Sequence, residues 1–175
     1  MNKVWGHFKT ITTHKLKVMH LCFKLGLYKR GLLHDLSKYS PVEFLAGVKY
    51  YQGYRSPIDK EKEVLGYSKG WLHHKGHNTH HWEYWLDFDK DKKLVGMPMP
   101  KVLIAEMFCD RVAASMIYQK EKYTDASALE YYQNGKHYII MHPKTRETIE
   151  RWLTYLASHG LEATVDYIKK ELKEA

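Results

Sequence analysis

Within the 175 residues, the stretch Gly31-Leu32-Leu33-His34-Asp35-Leu36-Ser37-Lys38-Tyr39-Ser40-Pro41 sets an imidazole beside a carboxylate, directly after two leucines. The leucines indicate a buried helix, and a charge buried without a partner is costly, so the pair should be hydrogen-bonded or hold a metal. Adjacent His and Asp can offer one nitrogen and one oxygen to the same divalent ion. Two further polar residues fall at inward positions of apolar periodicities. His14 shares a helical stripe with Val18, Leu21, Cys22 and Leu25; taken alone, such a residue is more often a hydrogen-bonded core histidine than a ligand. Asp110 falls in the stripe Leu103, Met107, Asp110, Ala114, Ile117, where a carboxylate needs a cation or several donors. Arg111 projects elsewhere and is not the obvious partner. Between these points, five of the twelve histidines lie in residues 73–81, bracketed by Trp71, Trp82 and Trp85. That is neither a core pattern nor a terminal tag, and it points to metal or substrate contact. On one helix His74, Asn78 and His81 would align, as would His73, His77 and His80. Gly76 and Asn78 make a break there equally compatible with the sequence.

The elements that must position these residues read as helices. Apolar periodicity predicts a first helix over 5–27, a second over 30–39 and a third over 41–51, the last with Ser40 as N-cap, Pro41 at its first position and Glu43 in its first turn. The charged run 59–63 reads as a solvated helical face, and 87–96 as a polar loop. A helix over 99–120 follows Pro98, and Asp125 should cap a short helix through Tyr132. Another helix opens at Pro143, buries Ile149, Trp152, Leu153 and Leu156, and stops at His159-Gly160; a last one covers 162–174. Period-2 alternation is almost absent, so the expected class is all-α, one helical domain over 1–175 with a site-bearing core at about 10–120 and supporting helices at about 121–175.

Composition narrows the classes. Hydrophobic residues at 44% and charged residues at 27% are ordinary for a globular chain. Two cysteines, Cys22 and Cys109, provide no disulfide framework and fit a reducing cytoplasm. Residues 1–25 are dotted with Lys and His, unlike a signal peptide, and no run is long enough to span a bilayer, so no membrane partner is expected. The formal charge of +8 favours anionic ligands.

The ordered set His14, His34-Asp35 and Asp110 resembles the H…HD…D pattern of the HD-domain superfamily of metal-dependent phosphohydrolases, over roughly residues 10–120. It looks most like a smaller bacterial and phage family within that group, built on HDLSKYSP and HN-x-HHWEYW. The resemblance implies an HD-type helical bundle and makes His14, His34, Asp35 and Asp110 metal ligands. It sets Asp35 as a bridge between two ions in dinuclear members and Lys38 as a catalytic side chain that stabilises phosphate charge. The Trp71 to Trp85 segment lies where multi-histidine members carry ligands for a second metal, here His74, His80 and His81, with His73 and His77 in reserve. The dense His spacing departs from the best-studied members. One or two divalent ions are implied, Mn, Fe, Zn, Co or Ni. The partner expected is a small anionic, phosphorylated substrate, with His77 or Glu83 as candidate proton donor. Two alternatives stand beside hydrolysis: a di-iron oxygenase, as some superfamily members are, and a non-catalytic basic protein that binds nucleic acid, for which no motif is present.

Overall fold

The computed structural model describes residues 2–174. Among these, eight α-helices carry the fold, and the class is all-α. They are α1 (Lys3–Lys24), α2 (Tyr28–Leu33), α3 (Pro41–Tyr50), α4 (Pro57–Leu65), α5 (Lys69–His77), α6 (Lys101–Gln119), α7 (Ser127–Gly135) and α8 (Pro143–Lys173). Local chemistry starts most of them. Asn2 accepts a hydrogen bond from the Val4 amide to cap α1, Ser56 from the Ile58 amide to cap α4, and Ser68 from the Trp71 amide to cap α5. Pro41, Pro57 and Pro143 take first positions, where the missing N–H costs nothing. Gly160, at φ 79° and ψ 173°, breaks α8 sharply, so the two C-terminal helices expected from the sequence meet there at a kink.

α6 is the central post. It packs on α1, α7 and α8, and residues from Leu103 through Cys109 are all buried. Val18, Leu21 and Cys22 of α1 meet Phe108, Cys109 and Val112 of α6, with Ile149, Trp152, Leu153, Leu156 and Ile168 of α8 closing the core. The stripe read from sequence on α6 is therefore only one of its two working faces. Leu103 and Met107 are buried, but Asp110, Ala114 and Ile117 are half-buried and line a cleft. The core side is Ile104, Phe108 and Val112. Cys22 and Cys109 are free and buried.

Three expectations are corrected. First, residues 30–39 are not one helix: α2 ends at Leu33, His34 is extended (φ −52°, ψ 128°), Asp35 is left-handed (φ 51°, ψ 28°), and Leu36–Tyr39 is a 3-10 turn. Consecutive side chains on a regular helix point about 100° apart, and the break is what allows His34 and Asp35 to enter one centre. Leu32 and Leu33, expected to be buried, are each 54% exposed. Second, residues 87–96 are not simply loop. Leu86–Phe88 (β1) and Leu94–Gly96 (β2) form a short antiparallel hairpin, register Leu86↔Gly96, because Asp89 accepts from the Asp91 and Lys93 amides and closes the turn. Third, Ala126, not Asp125, precedes α7; Asp125 instead accepts from the Tyr123 hydroxyl. No described helix is long and apolar enough to cross a membrane.

Candidate metal centre

Four segments converge on Asp35. The break after α2 turns its carboxylate inward, to 2% exposure. A non-glycine residue at positive φ is uncommon, Asp tolerates it better than most, and such conformations concentrate at functional sites. The two carboxylate oxygens face different donors. Oδ2 lies 3.2 Å from His34 Nε2 and 3.9 Å from His14 Nε2. Oδ1 lies 3.3 Å from His74 Nε2 and 3.5 Å from His80 Nε2. Asp110, from α6, reaches the first group: its Oδ1 is 2.8 Å from His14 Nε2 and 3.6 Å from His34 Nε2. His81 joins the second, with its Nε2 2.8 Å from His74 Nε2. Two sets of donors thus share Asp35, one of His14, His34, Asp35 and Asp110, the other of Asp35, His74, His80 and His81; within each, one donor atom per residue lies within 4.8 Å of all the others. These buried clusters could hold metal ions.

The far sides of the imidazoles show what the near sides are for. His34 Nδ1 donates to Glu106 Oε1 at 3.0 Å, and His80 Nδ1 lies 3.3 Å from the same oxygen. His74 Nδ1 donates to Glu43 Oε2 at 2.7 Å. With the ring protons on Nδ1, the Nε2 atoms would be free to ligate a cation beside Asp35. Burial would lower the His34 ring, but the Asp35, Asp110 and Glu106 carboxylates hold it well above the usual imidazole range, so a bound cation would take the place of its Nε2 proton. A ring N–H given to an outer carboxylate is how ligating histidines are normally oriented. His34 Nε2, His80 Nε2 and Asp35 Oδ1 are buried with no hydrogen-bond partner, Asp35 Oδ2 has the Lys38 ammonium alone, and buried polar atoms in folded proteins are rarely left unpaired. Residue types, outer carboxylates and unpaired buried atoms fit divalent transition metals.

Electrostatics point the same way. Burial alone would raise the Asp35 carboxyl, but His34 and Lys38 outweigh it and hold the group well below the usual range. Asp110 is likewise raised by burial and pulled well down by His14 and His34. Glu106, raised by burial, is drawn to about 2 by His34 and His80. Burial, with His80 and His74 adding to it, pushes His81 well down. Lys38 Nζ lies 2.6 Å from Asp35 Oδ2; burial would lower its pKa, but the Asp35 and Asp110 carboxylates raise it, so it keeps its charge.

The centre opens into a cleft of about 430 Å³, with Lys38, Arg55 and Arg111 as its cations and Trp71, Trp82 and Tyr118 among its walls. Glu83 lines it as well, and burial raises its carboxyl. His77 does not: it is exposed at the end of α5, stacked on His73. His73 bonds Glu43 Oε1 at 2.7 Å and joins neither donor set, so both reserve histidines lie outside them. His80 and His81 sit beyond the end of α5, in the turn before Trp82–Trp85, rather than on a continuous helix.

Sequence reasoning missed two carboxylates. Glu106 lies one turn before Asp110, a spacing that would have put it on the same side of α6. Glu43 read as a helix-start residue, yet it is buried and holds His73 and His74.

Residues 3–155 match the model of a family of unknown function, DUF5662. The chain belongs to that family. No curated protein and no solved structure matches it significantly. The matched span contains every residue of both donor sets together with Glu43 and Glu106.

Proposed function

We propose that this chain is a metal-dependent phosphohydrolase of the HD type, acting on a nucleotide or another small phosphate ester. The observation that carries the reading is the division of donors about Asp35, each of whose oxygens faces its own set of imidazoles. His14, His34, Asp35 and Asp110 would hold one ion, and Asp35, His74, His80 and His81 the other. Mixed nitrogen and oxygen ligation of this kind suits Mn, Fe, Zn, Co or Ni. Ions bound there supply a lowered pKa for water and a polarised phosphoryl oxygen.

The remaining work falls to the chain's own side chains. Glu106 and Glu43 hold the Nδ1 protons and leave Nε2 free to ligate. The Lys38 ammonium, charged and beside Asp35, is positioned to bind a phosphoryl oxygen. Arg111 adds positive charge along the cleft, whereas Arg55 is paired with Glu63, and Trp71 and Trp82 offer apolar faces to the organic part of the ester.

The test begins with protein purified without a His tag or a nickel column. Elemental analysis should find about two transition-metal equivalents per chain, as a two-ion site requires. Release of phosphate or nitrophenol from p-nitrophenyl phosphate, its bis ester or nucleoside monophosphates should stop with a chelator and in Asp35→Ala. Bound metal without hydrolysis of any of these would overturn the hydrolase reading. Absence of metal after reconstitution would overturn the site itself.

The five imidazoles among seven ligands support a second reading. Iron accepts such a set, and a di-iron oxygenase would purify with iron, show an optical band sensitive to oxygen, and consume oxygen rather than release phosphate.

A further inference from the structure

Residues 1–34 contain six Lys, one Arg and no Asp or Glu, so seven of the eight excess positive charges lie in the first fifth of the chain. The first acidic residue, Asp35, is buried in the metal centre. The same segment exposes large apolar side chains: Val4, Trp5, Phe8, Leu16, Tyr28, Leu32 and Leu33, followed by Leu36 just beyond it.

The apolar groups other than Val4 share one surface. At helical spacing Trp5, Phe8, Thr12, Leu16, Met19 and Phe23 fall on one stripe of α1, and Trp5 to Phe23 spans about 27 Å at 1.5 Å per residue. Trp5 stacks on Phe8 at 5.7 Å, Phe8 meets the Tyr39 ring edge at 6.1 Å, and Thr12 Oγ1 is 3.0 Å from the Tyr39 hydroxyl. Lys15 Nζ donates to the Leu32 and His34 carbonyls, which ties the exposed leucines to the stripe. Phe23 against Tyr28 at 5.2 Å closes the far end. Lys24 pairs with Glu162, and Arg30 faces Glu106. Lys3, Lys9, Lys17 and Lys29 have no acidic side chain at ion-pair distance among the described residues; of these Lys9 borders the stripe and Lys29 stands one turn before Leu32 and Leu33, whereas Lys3 and Lys17 lie on the far side of α1. His7, His14 and Val18, on the opposite side of α1, are buried toward the core and the metal centre.

We infer that the α1–α2 face docks on an anionic lipid surface, lying in the interface without crossing it. Contiguous exposed apolar groups of this extent mark interaction sites. An apolar stripe with an aromatic anchor and flanking lysines is the composition of an interfacial helix on anionic lipid. Charge decides among occupants. A second copy would bring like charge onto like charge across the same face, which opposes self-association. Nucleic acid would complement the lysines but offers nothing to Leu16, Leu32, Leu33 and Leu36. Anionic lipid satisfies both, and the cleft, on the other side of α1, stays open to solvent. The inference does not depend on the chemistry proposed for the metal centre.

Flotation of the full chain with vesicles of phosphatidylcholine mixed with phosphatidylserine, against pure phosphatidylcholine, tests it. The chain should float with the mixed vesicles, be released by salt, and ignore the neutral ones. Lys9→Glu with Lys29→Glu should weaken binding about tenfold or more. Trp5→Ser with Leu16→Ser should weaken it comparably while removing no charge. All four positions are exposed, so circular dichroism and metal content should match the parent. No flotation with the mixed vesicles would overturn the inference. So would binding that survives Trp5→Ser with Leu16→Ser and is displaced by double-stranded DNA, which marks a nucleic-acid face. A dimer in sedimentation equilibrium that Leu16→Ser dissolves would overturn it in favour of a second copy.

Discussion

His34 spans two buried carboxylates: its Nδ1 donates to Glu106 Oε1 at 3.0 Å and its Nε2 lies 3.2 Å from Asp35 Oδ2. Only positive charge between the two carboxylates, on the ring itself or on a bound metal ion, makes both contacts favourable at once. Glu106 is shared with His80, so one outer carboxylate holds an imidazole of each donor set.

That sharing makes Glu106 testable apart from the ligands. Glu106→Gln keeps the shape but weakens the acceptor, and metal affinity should fall about 10- to 100-fold. Calorimetric metal titration checks this, and an unchanged affinity would remove Glu106 from the metal centre.

The bridge and the one-sided ligand should differ in stoichiometry. Asp35→Asn should lose both metal equivalents, whereas Asp110→Asn should spare the set built on His74, His80 and His81. Elemental analysis after dialysis reads the difference, with His159→Ala, exposed at the α8 kink, as a control that changes nothing.

Asp35 also carries a backbone signature. At φ 51° a Cβ is disfavoured, so metal-free Asp35→Gly should be more stable than metal-free Asp35→Ala by about 1 kcal/mol, since both lack the carboxylate and differ in the left-handed cost. Urea denaturation of the pair measures it; equal midpoints would mean the turn relaxes.

Behind the centre, His7 packs against Gly47 so closely that an added Cβ would lie 2.1 Å from its Nε2. Gly47→Ala should cost about 1–3 kcal/mol, as overpacking does. Combining it with His7→Ala should return much of that loss, a coupling that a double-mutant cycle detects.

His7 also makes stability depend on pH. Burial, with Lys38 adding to it, lowers its pKa to about 4 from 6.5. Between those values the unfolded chain holds a proton that the folded one does not, so stability falls as pH drops from 6.5 towards 4 and this contribution then levels off. After a discount for partial solvent screening, the effect is about 1–2 kcal/mol. His7→Gln should lose less stability than the parent across that window in metal-free protein, measured by urea denaturation at each pH.

The sequence by itself determined the class and most of the two candidate donor sets. Apolar periodicity is a local property, so most of the helices, the inward positions of His14 and Asp110, and the break at His159-Gly160 are written along the chain. What it could not supply is the identity of the elements that meet. His74, His80 and His81 are chosen over His73 and His77 because α5 ends at His77 and the following turn folds two histidines back towards Asp35. Glu43 and Glu106 become orienting carboxylates only because α3 and α6 deliver them to the outer edges of those rings. The exposed leucines around His34-Asp35 follow from a backbone break that residue type does not encode: Asp tolerates left-handed φ, but tertiary contacts decide that it adopts it here. Periodicity tells which side of an element faces inward, and only packing tells what it faces.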